Sequence, residues 1–188
     1  MKDIVLEHDS FVTGKLEYKH LLGRKFEMGV NDCGSMLINM FKDNLNIKLT
    51  NYARPTNFWR FEGINPYVDN YHKEGFRLID EPQLKDLRPF DVFLIAIPDP
   101  SSLVKTVTNH CAIYLGEGLI IHHRLGEFSK VEMYKGSLRH LTTHIIRHKD
   151  VPDLRQAIKV ETLDLMQYIL PHKRAQYMEI LNGLKQTE

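Results

Sequence analysis

The sequence of 188 residues is poor in cysteine, with only Cys33 and Cys111. Two thiols exclude a disulfide-scaffolded fold, so any special role for sulfur rests on one reactive residue. Charge of one sign is also missing: 25 Lys and Arg stand against 24 Asp and Glu, a formal net charge of +1. That balance argues against broad capture of nucleic acid or acidic lipid. The basic residues of 135–147 are mixed with His and polar groups and have no stacking platform beside them, which again excludes a nucleic-acid partner. The longest apolar runs, such as 92–97, fall far below the ~18 residues of a membrane span. The first fourteen residues carry Asp3, Glu7, His8 and Asp9 instead of a basic start followed by an apolar stretch, so they do not read as a secretory signal. Repeats and low-complexity tracts are absent. What is there is the composition of a packed protein, 43% hydrophobic and 26% charged, long enough for one domain plus a short appendage. Ten histidines against two cysteines are the unusual part.

Met36, Leu37, Met40, Phe41 and Leu45 recur at helical spacing, and Asp32 stands where a capping carboxylate belongs, which predicts a buried helix starting at or beside Cys33. From 50 to 74 the periodicity disappears. Tyr52, Phe58, Trp59, Phe61, Tyr67 and Tyr71 are interleaved with Pro, Gly and Asn, predicting a long aromatic connector. Runs rich in Val, Ile, Thr and Tyr follow at 91–97, 110–115, 119–123, 130–134 and 142–148, separated by turn signals. Links this short predict an antiparallel meander, since parallel neighbours need crossovers of a dozen residues or more. The fold class is therefore α+β, a helix followed by an antiparallel sheet. Past Pro152 the composition turns helical, with apolar faces at Leu163, Met166, Tyr168, Ile169 and Leu170 and at Tyr177, Ile180, Leu181 and Leu184, expected to pack on the domain's own sheet, with a docking appendage for another protein as the sharper alternative. These divide the chain into a domain over 1–151 and a helical C-terminal extension over 152–188.

A thiol in the first turn of a helix meets the positive end of the helix dipole and unpaired backbone N–H groups, which stabilise the thiolate and form a potential oxyanion hole. Cys33 is placed for that, although a buried cysteine packing a helix start is an equally ordinary outcome. The second half of the chain adds His110 at a strand start and His122-His123 across a glycine turn. With an odd number of residues in the hairpin loop, positions of equal parity share a face, placing His122 beside His110; an even loop favours His123. A thiolate, an imidazole that takes and returns its proton, and a second imidazole that orients the first follow the logic of covalent acyl transfer. The same alternation turns Cys111 away from His110 and hence from Cys33, which predicts a buried structural thiol rather than a Cys33–Cys111 disulfide. His140, His144 and His148 are spaced by four, but their β-branched surroundings put them on a strand, where no metal cluster forms. Trp59 and its aromatic neighbours are expected to tie down the connector, with a sugar- or peptide-binding wall as the sharper alternative.

Asn31-Asp32-Cys33-Gly34-Ser35-Met36-Leu37, Phe90-Asp91-Val92-Phe93-Leu94, Asn109-His110-Cys111-Ala112-Ile113-Tyr114-Leu115-Gly116 and Ile121-His122-His123 resemble, in this order, the motifs of NlpC-type cell-wall cysteine peptidases. The resemblance is closer to the phage branch, with similar stretches at Leu21-Leu22-Gly23-Arg24-Lys25-Phe26, over 49–59 and at Gly75-Phe76. It spans roughly residues 18–147. It implies a papain-like fold in which the helix bearing the cysteine packs on the sheet. It also implies Cys33 as nucleophile, His110 as general base and acid, and His122 as the orienting residue, with no metal or cofactor. By the same similarity Asp32 either caps the helix or takes the free amine of a peptidoglycan stem peptide, and Gly34 shapes the pocket beside the nucleophile. Two positions depart from the family pattern: Gly34-Ser35 follows the cysteine where Ser-Gly or Tyr-Ser is usual, and Phe90 replaces a glycine. The implied function is cleavage of peptidoglycan stem peptides by a virion protein of the phage tail tip, during tail assembly or genome entry, beside other tail-tip proteins. The alternative is a catalytically silent plug or adaptor that keeps the fold and docks through its C-terminal helices. A bacterial cell-wall remodelling enzyme fits less well without a signal peptide.

Overall fold

A computed structural model describes residues 3–8, 12–61, 64–80, 82–102, 107–153 and 158–161. Helix α1 (Cys33–Leu45) packs on a six-stranded antiparallel sheet built from β3 (Phe76–Leu78), β4 (Val92–Ile95), β5 (His110–Gly116), β6 (Leu119–His122), β7 (Lys130–Met133) and β8 (Thr142–His148), in the order β3-β8-β4-β5-β6-β7. Strands β1 (Asp3–His8), β2 (Val12–Lys15) and β9 (Ile158–Glu161) form a separate three-stranded sheet with β1 in the middle.

The cysteine-bearing helix, its antiparallel partner sheet and the α+β class are as expected, but the meander holds only from β4 to β7. After β7 the chain crosses back through the short α2 (Ser137–His140), and β8 pairs with β4 on the sheet's other side. Alternation shows which faces a strand buries, not which neighbour it takes. Thr143 Oγ1 donates to Leu94 O (3.1 Å) and Ala96 N to Leu141 O (2.9 Å), holding this return in place. The strand predicted at 142–148 thus gains a different partner, and β3 emerges from beyond the aromatic connector to pair with it. Residues 158–161, expected to be helical, are strand β9 and pair with β1. Ile-Lys-Val-Glu alternates with period two and carries two β-branched residues, which suits a strand. The apolar faces at 163–184 lie outside the described residues.

Both faces of the central strands are covered, so β4 is buried at every position. Toward α1, Val92, Leu94, Cys111, Ile113 and Ile146 meet Met36, Met40 and Phe41. On the other side Phe93, Ile95, Ala112 and Ile120 meet Tyr134 and Leu138, with the Phe93 and Tyr134 rings stacked 4.0 Å apart. Fully burying a side chain such as Phe41 is worth about 1.5–3 kcal/mol. Phe90, one of the two departures from the resembled pattern, has a glycine-like backbone at φ 67. The left-handed conformation costs a residue with a Cβ roughly 1–3 kcal/mol, offset here by a ring that is 1% exposed and packed edge-on against Phe41. At the head of β4, Asp91 receives Arg147 Nε (2.7 Å) and Nη2 (2.8 Å) from β8 and the Arg88 N–H (2.8 Å), all in the interior.

Candidate functional site

The site begins with the start of α1. Asp32 has extended backbone, its Oδ1 accepts from Ser35 N (2.8 Å), and Ser35 Oγ accepts from Asp32 N (2.8 Å), a complete capping box. Oδ2 also accepts from Gly29 N (2.6 Å), and Arg54 adds a bidentate pair, Nε to Oδ2 and Nη2 to Oδ1, each 3.0 Å. A carboxylate offers about four acceptor positions, and here all four are filled. Burial alone would raise the Asp32 carboxyl, but the Arg54 bonds and the two amides outweigh it and hold it below the usual carboxylate range. Of the two expected roles for Asp32, capping is the one its bonds serve. Gly34 lies against the Arg54 guanidinium, where a Cβ would stand 2.7 Å from Cζ, and it is not among the residues lining the cleft beside Cys33. The departure at Gly34 therefore makes room for Arg54, which explains why a larger residue is absent.

Cys33 is the first residue of α1 and is 5% exposed. Its Sγ is 3.0 Å from the hydroxyl of Tyr67, a connector residue that periodicity could not single out. Its thiol is held well below the ordinary range. The Cys111 thiol beside it lowers it most, the charge of His110 adds to this, and these prevail over burial and the nearby Asp32 carboxylate. Cys111, which keeps its proton, is pushed up in turn. The expectation that Cys111 points away from Cys33 is thus overturned. It does leave the face of His110, but the opposite face is the one on which α1 lies, so alternation turns it toward the helix. Both cysteines are free thiols.

His110 opens β5, and its Nε2 stands 3.0 Å from Nδ1 of His122 at the end of β6, with both rings buried. The choice between His122 and His123 turns on the hairpin. Its turn has two residues, Glu117 and Gly118, both with the positive φ (51 and 72) that such turns need. An even loop favours His123, yet a bulge between Tyr114 and Gly116 adds one residue and restores equal parity, so Ala112 pairs with His122. His123 takes the opposite face of the strand and lines the cleft beside Cys33: its Nε2 donates to Glu127 O (3.2 Å) and its ring meets Phe26 edge-on at 5.2 Å. Burial, then the charges of His110, Lys130, Arg124 and His123, push His122 down to about 3, so it is neutral at ordinary pH.

A cleft of about 270 Å³ opens beside these groups, lined by Phe26, Cys33, Trp59, Tyr67, His110 and Arg124 among others. Trp59 is 6% exposed; its Nε1 donates to Asp99 Oδ2 (2.7 Å), and Arg60 Nε reaches the same oxygen (2.7 Å), binding the connector to the 97–102 loop. Trp59 thus ties down its loop and forms part of the cleft wall. A smaller cavity of about 60 Å³ behind Gly34 and Arg54 shares Tyr67 but neither Cys33 nor His110. A thiol of lowered pKa at a helix N-terminus, sharing a cleft with an imidazole that is backed by a second imidazole, is equipped for nucleophilic attack on an acyl carbon.

Helix, sheet and this Cys-His-His arrangement together define a papain-like α+β domain. The model of the NlpC/P60 family matches residues 23–148, and the chain belongs to that family. It is 33% identical over 133 residues to the tail tip assembly protein K of Escherichia phage lambda, covering 69% of this chain and 60% of that protein. With the protein of the same name from Escherichia phage N15 it shares 28% identity over 136 residues, 70% of this chain and 50% of that one. The chain thus spans about half to three-fifths of the length of these curated relatives. The family match leaves out β1, β2 and β9 at both ends.

Proposed function

We propose that this chain is a protein of the phage tail tip that hydrolyses amide bonds in peptidoglycan stem peptides. The observation that carries the reading is the line from Cys33 through His110 to His122, with 3.0 Å between the two imidazoles and a thiol of lowered pKa at its head. The Cys33 thiolate attacks the amide carbonyl, and the developing oxyanion is met by backbone N–H groups of the first turn of α1. His110, holding the thiol proton, gives it to the leaving amine, and water then attacks the thioester with His110 as base. His122 accepts from His110 and keeps its ring in orientation, while the Tyr67 hydroxyl steadies the sulfur. Cap, guanidinium and glycine at Asp32, Arg54 and Gly34 fix the helix start. The names of the relatives, together with identities of 33% and 28%, support a place among other tail-tip proteins.

Those printed names also favour a second reading, since both relatives are called assembly proteins: a subunit that keeps the fold as a plug or adaptor. Digestion of purified peptidoglycan by the wild type and by Cys33→Ala separates the two. The hydrolase reading expects new muropeptides from the wild type alone, together with selective iodoacetamide labelling of Cys33 at neutral pH. Identical muropeptide profiles and no selective labelling would sink it.

A further inference from the structure

Strand β7 pairs with β6 so that Lys130 stands opposite His122 and Glu132 opposite Ile120, which makes Glu132 the diagonal neighbour of His122 on the same face. Glu132 Oε1 is 2.7 Å from His122 Nε2. Both atoms are buried, and neither meets a well-aligned hydrogen-bond partner among the described residues. The contact between them is short but bent away from the line of an ideal bond. The second carboxylate oxygen lies 3.6 Å from Lys130 Nζ, whose shorter contact is with Glu127 (2.7 Å), so Oε1 faces the imidazole.

Between two ring nitrogens 3.0 Å apart there is room for one proton, and where it sits decides what His110 can do. If His122 carries its proton on Nδ1, it donates to His110 Nε2. Neutral His110 must then hold its own proton on Nδ1, the nitrogen left for Cys33, and cannot accept the thiol proton. If His122 carries its proton on Nε2, its Nδ1 accepts from His110 Nε2–H, and Nδ1 of His110 is a base toward the sulfur. A neutral imidazole has to choose between these two tautomers, and a carboxylate facing Nε2 makes only the second favourable.

We propose that Glu132 is a positioning residue that holds the proton of His122 on Nε2 and so makes His110 a base toward Cys33. The arrangement is a relay of four, Cys33–His110–His122–Glu132, whose last member is a carboxylate on the edge strand. Glu132 does not touch the reacting atoms and acts only through His122. The other groups around that ring are His110 from β5, Lys130 from β7 paired with Glu127, and Arg124 and His123 from the segment after β6. Lys130 and Arg124 are cations, which favour a neutral ring but place no acceptor on Nε2.

The inference rests on the reading of Cys33 and His110 as the reacting pair, and the test separates the two. Long-range proton–nitrogen correlation spectra of the full chain labelled with 15N-histidine report each tautomer directly. The wild type is expected to show His122 as Nε2–H. In Glu132→Leu the population shifts toward Nδ1–H and the rate of Cys33 alkylation by iodoacetamide at pH 7, followed by peptide mapping, falls on the order of tenfold. Glu132→Gln, whose amide oxygen still accepts from Nε2–H, restores both signals most of the way, which a purely structural role for a surface-edge glutamate would not produce. An Nδ1–H tautomer in the wild type overturns the proposal even if Glu132→Leu fails to fold. An unchanged tautomer and alkylation profile in a folded Glu132→Leu also overturns it, with the Cys33–His110 pair intact. Absence of selective alkylation in the wild type, with His122 as Nε2–H, instead removes the pair and leaves the tautomer assignment standing.

Discussion

Two buried aspartates hold two buried arginines in nearly the same way, one at the head of α1 and one between the start of β4 and β8. Asp32 and Asp91 are 1% and 0% exposed, each receives two guanidinium nitrogens, and backbone N–H groups add two bonds to Asp32 and one to Asp91. Arg147 ends on Asp86 O (3.1 Å), Arg54 on Tyr52 O (2.9 Å). The chemistry is shared and the consequence is not. The Asp91–Arg147 pair joins strands in the interior, whereas the Asp32–Arg54 pair caps the helix that presents Cys33 and places two opposite charges beside its sulfur. A buried ion pair acquires a functional effect from its neighbours, not from its own geometry.

The largest expected effect is on stability and is common to both pairs. Removing one partner leaves a buried charge uncompensated and costs about 3–5 kcal/mol, so Asp91→Ala and Asp32→Ala should both lower the midpoint of urea unfolding markedly. Only Asp32→Ala should also change the alkylation rate of Cys33 in the folded fraction; an equal change in Asp91→Ala would erase the distinction.

Charge removal sharpens the comparison further. The Asp32 carboxylate opposes the Cys33 thiolate and the Arg54 cation favours it. Asp32→Asn should therefore move the pH midpoint of Cys33 alkylation down and Arg54→Met should move it up, while Arg147→Met leaves it in place. Shifts of the same sign in the first two variants would show that displacement of the helix start, not charge, governs the thiol.

Acid titration gives a third, smaller contrast. The folded-state pKa of Asp32 lies below its unfolded value, so its contribution is complete above the unfolded value of about 4 and is lost as pH falls through the folded one. The stability gap between wild type and Asp32→Asn, followed by denaturant titration at successive pH values, should be constant above about pH 4 and close below it. A gap that persists in strong acid would mean that the capping geometry, and not the charge, carries the stabilisation.

The smallest effect concerns Gly34. An added Cβ crowds Arg54 at a cost of about 1–3 kcal/mol, while alanine in a helix recovers roughly 0.5–1 kcal/mol. Gly34→Ala should thus destabilise by about 1 kcal/mol net. In an Arg54→Met background the same substitution should become neutral or stabilising, a non-additivity that thermal unfolding of the four proteins measures.

Much of the site could be read from the residues because its parts are local. A cap, a helix start and a strand start leave short signatures, and Asp32, Cys33, His110 and the central strands fell where their patterns put them. Arg54 and Tyr67 come from a connector with no periodicity, so nothing in the pattern told which side chains turn inward. Cys111 was misplaced because alternation gives opposite faces but not which face the helix covers. Glu132 needed the β6–β7 register, and the return of β8 to β4 needed a partner choice that no strand encodes by itself. The alternation from Ile158 to Glu161 spans only four residues and is embedded in a stretch of helical composition, which masks it.

The extra residue in β5 works as a parity correction between a two-residue turn and the two faces of a hairpin. Drawn into the ladder instead of bulging, Leu115 would put His123 opposite Ala112 and bring forward a ring whose Nε2 is already committed to a backbone carbonyl, in place of the ring that Glu132 backs; deleting Leu115 removes the bulge and keeps Ala112 opposite His122. Loss of one residue from β5 is thus tolerable at the bulge, whereas between His110 and Tyr114 it exchanges the faces unless the bulge closes. A bulge beside the hairpin turn thereby constrains how the chain around the site can grow or shrink.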